Sequence, residues 1–321
     1  MRPSLYALTF ALAAALSGAA IAQPWPAKPV RLIVSFPPGS GADIVARIIA
    51  PRLADAFAQQ FIIDNRAGAA GHIGAELAAR AAPDGYTFLF TPASIAVSLA
   101  LYSKLNYDPE KDLEPVALAA SAPFVLVVHP SLPVRSVREL IALAKAKPGQ
   151  LLYASTGNGG SPHLATEMFR RETGIDIVHV PYKGTPAAIT DLLGGQVQLM
   201  FGNALSVLPL VQGGRLRALA ISSAKRSAAA PQLPTLAESG LPRYEAGTWF
   251  GLLAPTGTGA DSIARLSGEV IKIVHMPTVR GQLLAQGADP IGMPPDRFRT
   301  YLKAEFAKWA QVVKATGARV D

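Results

Sequence analysis

The sequence predicts an α/β protein of two domains, each a mostly parallel sheet flanked by helices, and three observations carry that prediction. Short β-branched and apolar runs alternate with stretches whose apolar residues recur at helical spacing, the βα alternation that builds parallel sheets. The chain has 321 residues, half of them apolar and only 16% charged, which suffices for one large or two medium cores. Its 28 glycines and 27 prolines fall between the runs without a repeating period, as turns and helix ends do. This composition excludes a disordered tail, a coiled coil and a collagen-like repeat.

Met1 to Ala22 reads as a secretory signal, with Arg2 as its positive start, an apolar run from Leu5 to Ala20, and Ala20-Ile21-Ala22 as a cleavage pattern before Gln23. Thr9, Ser17 and Gly18 interrupt a run already shorter than the ~20 residues that span a bilayer, so a membrane anchor is the weaker reading. No comparable run follows, and the absence of cysteine rules out a lipid anchor on sulfur. A soluble protein exported to a periplasm is expected.

After the leader, Val30 to Phe36 reads as a buried strand, Pro37 to Ala42 as a Gly-rich loop, and Asp43 as the N-cap of a helix running to about Ala58. Phe61 to Asp64 is a second strand, leading through Gly68 and Gly71 into an Ala-rich helix to about Ala82. Tyr86 to Phe90 is a third strand, and Thr91-Pro92-Ala93-Ser94 begins another helix. Tyr102 to Glu114 is polar and turn-forming, and Phe124 to Val128 is then a strong buried strand.

A second βα series follows. Val134 to Ala146 is a helix with Ser136 as cap, Leu151 to Ser155 a strand, Thr156 to Gly160 a loop, and Ser161-Pro162 a cap followed by proline. Ile177 to Val180 is a strand, Pro181 to Gly184 a loop, and Thr185-Pro186 another cap with proline. Val197 to Phe201 is a strand, Val207 to Val211 a short helix, Leu216 to Ser222 a strand, and Ala228 to Leu241 a Pro-rich passage. Thr248 to Ala254 is a strand, and helices near Asp261 to Val274 and Pro295 to Thr316 complete the chain. The simplest organisation is a first domain of residues 23–122 and 248–321, with a second, 123–247, inserted. The crossings then fall near Ser121 to Phe124 and Ala246 to Phe250, where two strands make a hinge.

The absence of cysteine removes disulfides, thiolate metal sites and cysteine nucleophiles. Neither G-x-x-x-x-G-K-[ST], G-x-G-x-x-G nor G-x-S-x-G occurs, which argues against nucleotide binding and a serine-hydrolase elbow. His72, His129, His163, His179 and His275 lack metal-ligand spacing, so neither a metal nor another cofactor is expected. Ser161 and His163, two apart at a helix start, diverge rather than form a dyad. Asp43, Glu76, Glu167 and Asp191 sit where caps and solvated faces usually put carboxylates. With 30 basic against 22 acidic side chains the formal charge is +8, yet the basic residues are dispersed without interleaved aromatics, which excludes a nucleic-acid face and favours a small anion.

Three strand-to-helix loops share one chemical plan: Pro37 to Asp43, Thr156 to Pro162, and Lys183 to Pro186, with Thr91 to Ser94 a weaker fourth. Such loops expose amides beside the positive end of a helix and gather at the carboxyl edge of a parallel sheet, where anions bind. The alternative for each is ordinary turn chemistry. Lys183 either adds a positive charge to an anion site or is simply solvated, and Trp249 and Phe250 fit a core better than a ligand platform.

Several tracts in order, Pro26 to Val34, Phe36 to Gly39, Asn65 to Gly68, Pro83 to Thr87, His163-Leu164-Ala165 and Val180 to Ala187, resemble the periplasmic solute-binding proteins of tripartite tricarboxylate transporters, the Bug or TctC-like family. The resemblance spans the chain after the leader. It implies a two-domain periplasmic-binding-protein (Venus-flytrap) architecture without catalytic activity, which delivers an organic anion to transporter membrane subunits. It also implies that the loops around Phe36 to Asp43 and Ser155 to Ser161 grip ligand carboxylates, partly through ordered water. The candidate ligand-binding residues are Phe36, Pro37, Gly39, Ser40 and Asp43; Thr91 and Ala93; Ser155, Thr156, Gly157, Ser161 and His163; Lys183, Gly184 and Thr185; and Gly202. The expected ligand is a di- or tricarboxylate or an aromatic carboxylate, and the protein is expected to be a monomer.

Departures from the family pattern are His72 in place of Asn, Gln198 and Gly202 in place of acidic residues, and Gly259 in place of Pro. A cleft lacking those acids holds an amine poorly, which turns the expectation from amino acids to plain carboxylates. An enzyme acting on a carboxylated substrate, or a ligand-sensing subunit, would share this architecture. The lack of a coherent nucleophile and base counts against the enzyme.

Overall fold

Alternation along the strands explains how one sheet serves two apolar layers. In β1 (Val30–Val34), Val30, Leu32 and Val34 join one buried cluster, whereas Ile33 joins another on the opposite face. In β4 (Leu113–Val128), Leu126 and Val128 likewise face one cluster while Val125 and Val127 face the other. The computed structural model describes residues 25–102 and 105–316; the expected leader and its cleavage point lie outside them.

The remaining elements are α1 (Gly41–Phe57), β2 (Phe61–Asn65), a 3-10 turn (Ala69–Gly71), α2 (His72–Ala79), β3 (Thr87–Pro92), α3 (Ser94–Leu101), α4 (Val137–Ala146), β5 (Leu152–Ser155), α5 (Ser161–Thr173) and β6 (Val178–Pro181). They continue with α6 (Thr185–Leu193), β7 (Leu199–Asn203), α7 (Ala204–Gln212), β8 (Arg217–Ile221), β9 (Gly247–Pro255), α8 (Ala260–His275), α9 (Pro277–Ala285), β10 (Asp289–Met293) and α10 (Pro295–Thr316). The main path of the ten-stranded sheet is β2-β1-β3-β9-β4-β7-β5-β6, with β8 and β10 also paired to β4.

Each of the two domains contains a parallel trio, β2-β1-β3 in the first and β6-β5-β7 in the second. The antiparallel strands β9 and β4 join the trios, and β4 runs without a break from one domain into the other. Trp249 and Phe250 are buried on β9, as core residues should be. Among the described residues no helix is long and apolar enough to cross a membrane.

Several local expectations need correction. Ser40, not Asp43, caps α1: its hydroxyl accepts the Asp43 amide at 3.3 Å, and Asp43 reaches back to the Gly39 amide, a reciprocal pairing like a capping box. Gly160 and Gly184, not Ser161 and Thr185, occupy the cap positions of α5 and α6, so those hydroxyls sit inside the first turns. The Ala-rich helix ends at Ala79 rather than Ala82. Leu113 to Pro123, partly read as polar turn, is the first two-thirds of β4; its two prolines and many alanines mask a strand that is nevertheless buried. The sequence reading also omitted α9 and β10, the latter interrupted by Pro290 and Gly292.

Candidate functional site

The carboxyl ends of both parallel trios face each other across a cleft. A cavity of ≈ 300 Å³ lies between Phe36, Pro37 and the loop 67–71 of the first domain and Thr156–Asn158 and Pro181–Gly184 of the second, with Tyr102 at its wall. Deeper, a pocket of ≈ 40 Å³ lies between the N-terminus of α1 (Ser40, Gly41, Ala42) and that of α5 (Ser161, Pro162), walled by Phe124, Asn203, Thr248 and Phe250. Phe36 and Thr156 line both. Two helix N-termini aimed into one small pocket present backbone donors and positive dipole ends to the same point. The Ser161 hydroxyl, in a residue 3% exposed, has no hydrogen-bond partner among the described residues.

The Asp43 carboxylate is buried and used by its own domain. It accepts from the Gly39 amide at 2.9 Å, from Arg47 Nε at 2.9 Å and from Asn65 Nδ2 at 3.0 Å, while Asn65 also donates to the Phe36 carbonyl. Burial alone would raise its pKa, but the bonds from Arg47, Gly39 and Asn65 prevail and hold it below the usual carboxylate value. Asp43 therefore shapes the loop 36–40 and stays ionised. Beside it on the same first-domain wall, Gly68, Ala69, Ala70 and Gly71 all have positive φ, at 131°, 47°, 52° and 102°. For the two alanines this left-handed backbone costs about 1–2 kcal/mol each, strain of the kind found where a loop's shape is used.

Behind that wall, His72 Nδ1 lies 2.9 Å from the Tyr107 hydroxyl, and its ring meets Tyr102 edge-on at 4.5 Å. Burial pushes its pKa down to about 4, so it is neutral at ordinary pH. The domains touch in several places: Ser206 donates to the Gly39 carbonyl at 3.4 Å, and the Tyr102 hydroxyl donates to the Asn158 carbonyl at 3.4 Å.

The expected residues divide into those the cleft exposes and those behind it. Phe36, Pro37, Ser40, Thr156, Gly157, Ser161, Lys183 and Gly184 line one cavity or both. Gly39, Asp43, Thr91, Ala93, Ser155, His163, Thr185 and Gly202 line neither. Thr91 bonds Ser35 at 2.9 Å, Ser155 and His163 lie under the second-domain loop, and a β-carbon on Gly202 would stand 2.3 Å from Val207. Gln198 precedes β7 at the end away from the pocket, where its amide accepts from Leu152 N and donates to the Gly195 carbonyl. The argument from Gln198 and Gly202 against an amine in the cleft therefore fails. Asn158 falls within the expected Thr156–Pro162 loop, whereas sequence reading missed Ala69–Gly71, Tyr102, Tyr182 and Asn203; of these, Asn203 had a usable signal, as a polar cap between a strand and a helix.

Comparison with known proteins agrees with this geometry. A family model described as the tripartite tricarboxylate transporter family receptor matches residues 45–318. Protein BugT of Bordetella pertussis is 40% identical over 313 residues, 97% of this chain and 96% of that protein. The solved structure of R. palustris Rpa4515 with adipate superposes with a TM-score of 0.90 at 38% identity, covering 92% of this chain and all of that one. MatC from Rhodopseudomonas palustris with bound malate gives 0.85 at 31% identity, covering 90% of this chain and all of that one.

Proposed function

The chain belongs to the tripartite tricarboxylate transporter receptor family, and from that premise we propose that it binds a small di- or tricarboxylate or aromatic carboxylate in this cleft and delivers it to the membrane subunits of such a transporter. One observation carries the ligand chemistry: the buried, unpartnered Ser161 hydroxyl stands at the start of α5, across a pocket of ≈ 40 Å³ from the start of α1. A carboxylate accepts from that hydroxyl and from the amides of both helix ends and carries the charge that their positive ends favour; a neutral sugar lacks that charge, and a cation accepts nothing. The larger cavity then holds the carbon skeleton, with the exposed Lys183 at its rim lending positive charge through water. The adipate and malate in the two related structures are of this class.

Binding without turnover fits the local chemistry. A hydroxyl–imidazole pair does occur, Ser155 Oγ with His179 Nε2 at 2.6 Å, but Ser155 is fully buried, shares its oxygen with Gly157, and lines neither cavity. The same reading takes the protein as a periplasmic monomer, cleaved after Ala22, which needs no cofactor. It takes 23–122 with 248–321 as one domain and 123–247 as the other, with the paired residues Pro123 and Gly247 at the hinge. Calorimetry with adipate, malate, citrate, an aromatic dicarboxylate, glutamate, a sugar and a polyamine tests the function, followed by mass spectrometry of recovered ligand. Carboxylates should bind and return chemically intact. Binding confined to sugars or amines, or conversion of a bound carboxylate to product, would overturn the proposal.

A further inference from the structure

His163 and His179 lie far apart in the chain, but the fold stacks them beneath the second-domain wall of the cleft. Tyr153 on β5 and His179 on β6 are register partners, and their rings stack at 4.8 Å and 16°. His163, in the first turn of α5, stacks on the other face of His179 at 4.1 Å and 10°. Both histidines reach from this stack to the loop above. The Gly159 amide donates to His163 Nδ1 at 3.1 Å, which requires that nitrogen to carry no proton. His179 Nε2 meets Ser155 Oγ, which in turn accepts the Gly157 amide at 3.2 Å. The other side of this loop, Thr156 to Asn158, lines the larger cavity.

We propose that His163, backed by His179, is a positioning residue for ligand capture: its unprotonated Nδ1 holds the Gly159 amide, and with it the Thr156–Asn158 wall, until proton uptake by the pair releases both loop and ligand. The proposal rests on the reading that this loop closes over a carboxylate. Two imidazolium rings in face-to-face contact repel, and a protonated His163 Nδ1 would point a hydrogen at the Gly159 hydrogen. The charged or titratable groups facing the stack are Glu167 and Arg170 from α5, paired at 2.9 Å, Tyr153 from β5, which donates to Glu167, and Asp176 beyond Arg170.

Burial outweighs these neighbours. It pushes His179 down to about 4 and lowers His163, with Glu167 opposing and Arg170 reinforcing both shifts. An opened loop would let the rings hydrate and regain the ordinary value of ~6.5. The closed loop is thus fully favoured above ~6.5 and loses up to about tenfold per pH unit per histidine as pH falls toward the buried value.

Nuclear magnetic resonance of the ligand-free chain tests this together with calorimetry, using adipate as probe and His163→Asn and His163→Leu as variants. Asparagine offers a neutral acceptor near the Nδ1 position and does not titrate; leucine offers none. From about pH 7.5 to about pH 4.5, the wild-type Gly159 amide should shift with the His163 ring, and its exchange, corrected for the intrinsic rate, should rise about tenfold or more. It should stay protected in His163→Asn and be unprotected throughout in His163→Leu. Over the same range adipate affinity should fall about tenfold further in wild type than in His163→Asn, a ratio in which the ligand's own titration cancels. A Gly159 amide indifferent to pH or to leucine, or equal pH profiles in wild type and His163→Asn, would overturn the proposal. If adipate binds no form at neutral pH, the choice of ligand fails instead, and Gly159 still decides the question.

Discussion

Pro37 and Gly184 face each other across the cleft so closely that a β-carbon built on Gly184 would lie 2.5 Å from Pro37 Cγ. Gly184 also has φ of +108°, in a region L side chains rarely adopt. Glycine is thus required by the backbone and by the approach of the domains. Gly184→Ala should leave the chain folded, lower carboxylate affinity about tenfold or more, and abolish ligand-induced compaction in X-ray scattering. Wild-type compaction in the variant would show that the contact plays no part in closure.

Ser161→Ala should move stability and affinity in opposite directions. Removing a buried hydroxyl that has no partner among the described residues relieves about 1 kcal/mol or more, so the ligand-free melting temperature should rise by roughly 2–4 °C. Loss of a donor to a carboxylate should weaken binding about ten- to a hundredfold, measured by calorimetry. A variant that melts lower and binds as well as wild type would assign the hydroxyl a structural partner instead.

Asp43 predicts an acid limit. Because hydrogen bonds hold its folded pKa below the ordinary 3.8, its stabilisation is present above that value and is lost as pH falls through the lower folded one. Asp43→Asn should be less stable by about 1–3 kcal/mol near neutrality, and the gap should narrow in denaturant melts repeated below about pH 4. A gap independent of pH would mean the carboxylate's charge contributes nothing.

Lys183 lines the rim but is exposed, so the solvated alternative fits its surroundings. Its charge acts through water. Lys183→Ala should slow association a few-fold at low salt, lose that effect at about 1 M salt, and leave dissociation nearly unchanged in stopped-flow measurements. A large change in the dissociation rate would place the ammonium directly on the ligand.

The loops at Phe36–Ser40 and Thr156–Ser161 were legible because short apolar runs ending in Gly-rich turns before a helix start are a local signal, and local signals survive without coordinates. Tyr102 was not legible: it follows α3 and joins the cleft only by meeting Asn158 across the domains. The stack of Tyr153, His179 and His163 depends on strand register and on the angle of α5, neither of which spacing reveals. Gln198 misled for a geometric reason, since it enters β7 at the end opposite Asn203. Side-chain type pointed to a site, but position along the strand decides what the side chain reaches.

The antiparallel pairing of β4 with β9, which runs from Leu113–Pro255 to Pro123–Gly247 with two shifts of register, has a mechanical consequence. β3 and β10 flank the pair further in, and at Ala122–Pro123 with Gly247–Thr248 the two strands alone make the crossing; such a crossing flexes out of its own plane more readily than it slides, because sliding breaks its hydrogen bonds. A hinge placed there would act as a short leaf spring, letting the halves swing like the covers of a book while resisting shear. Closure guided in this way would bring Pro37 and Gly184 back to the same alignment each time.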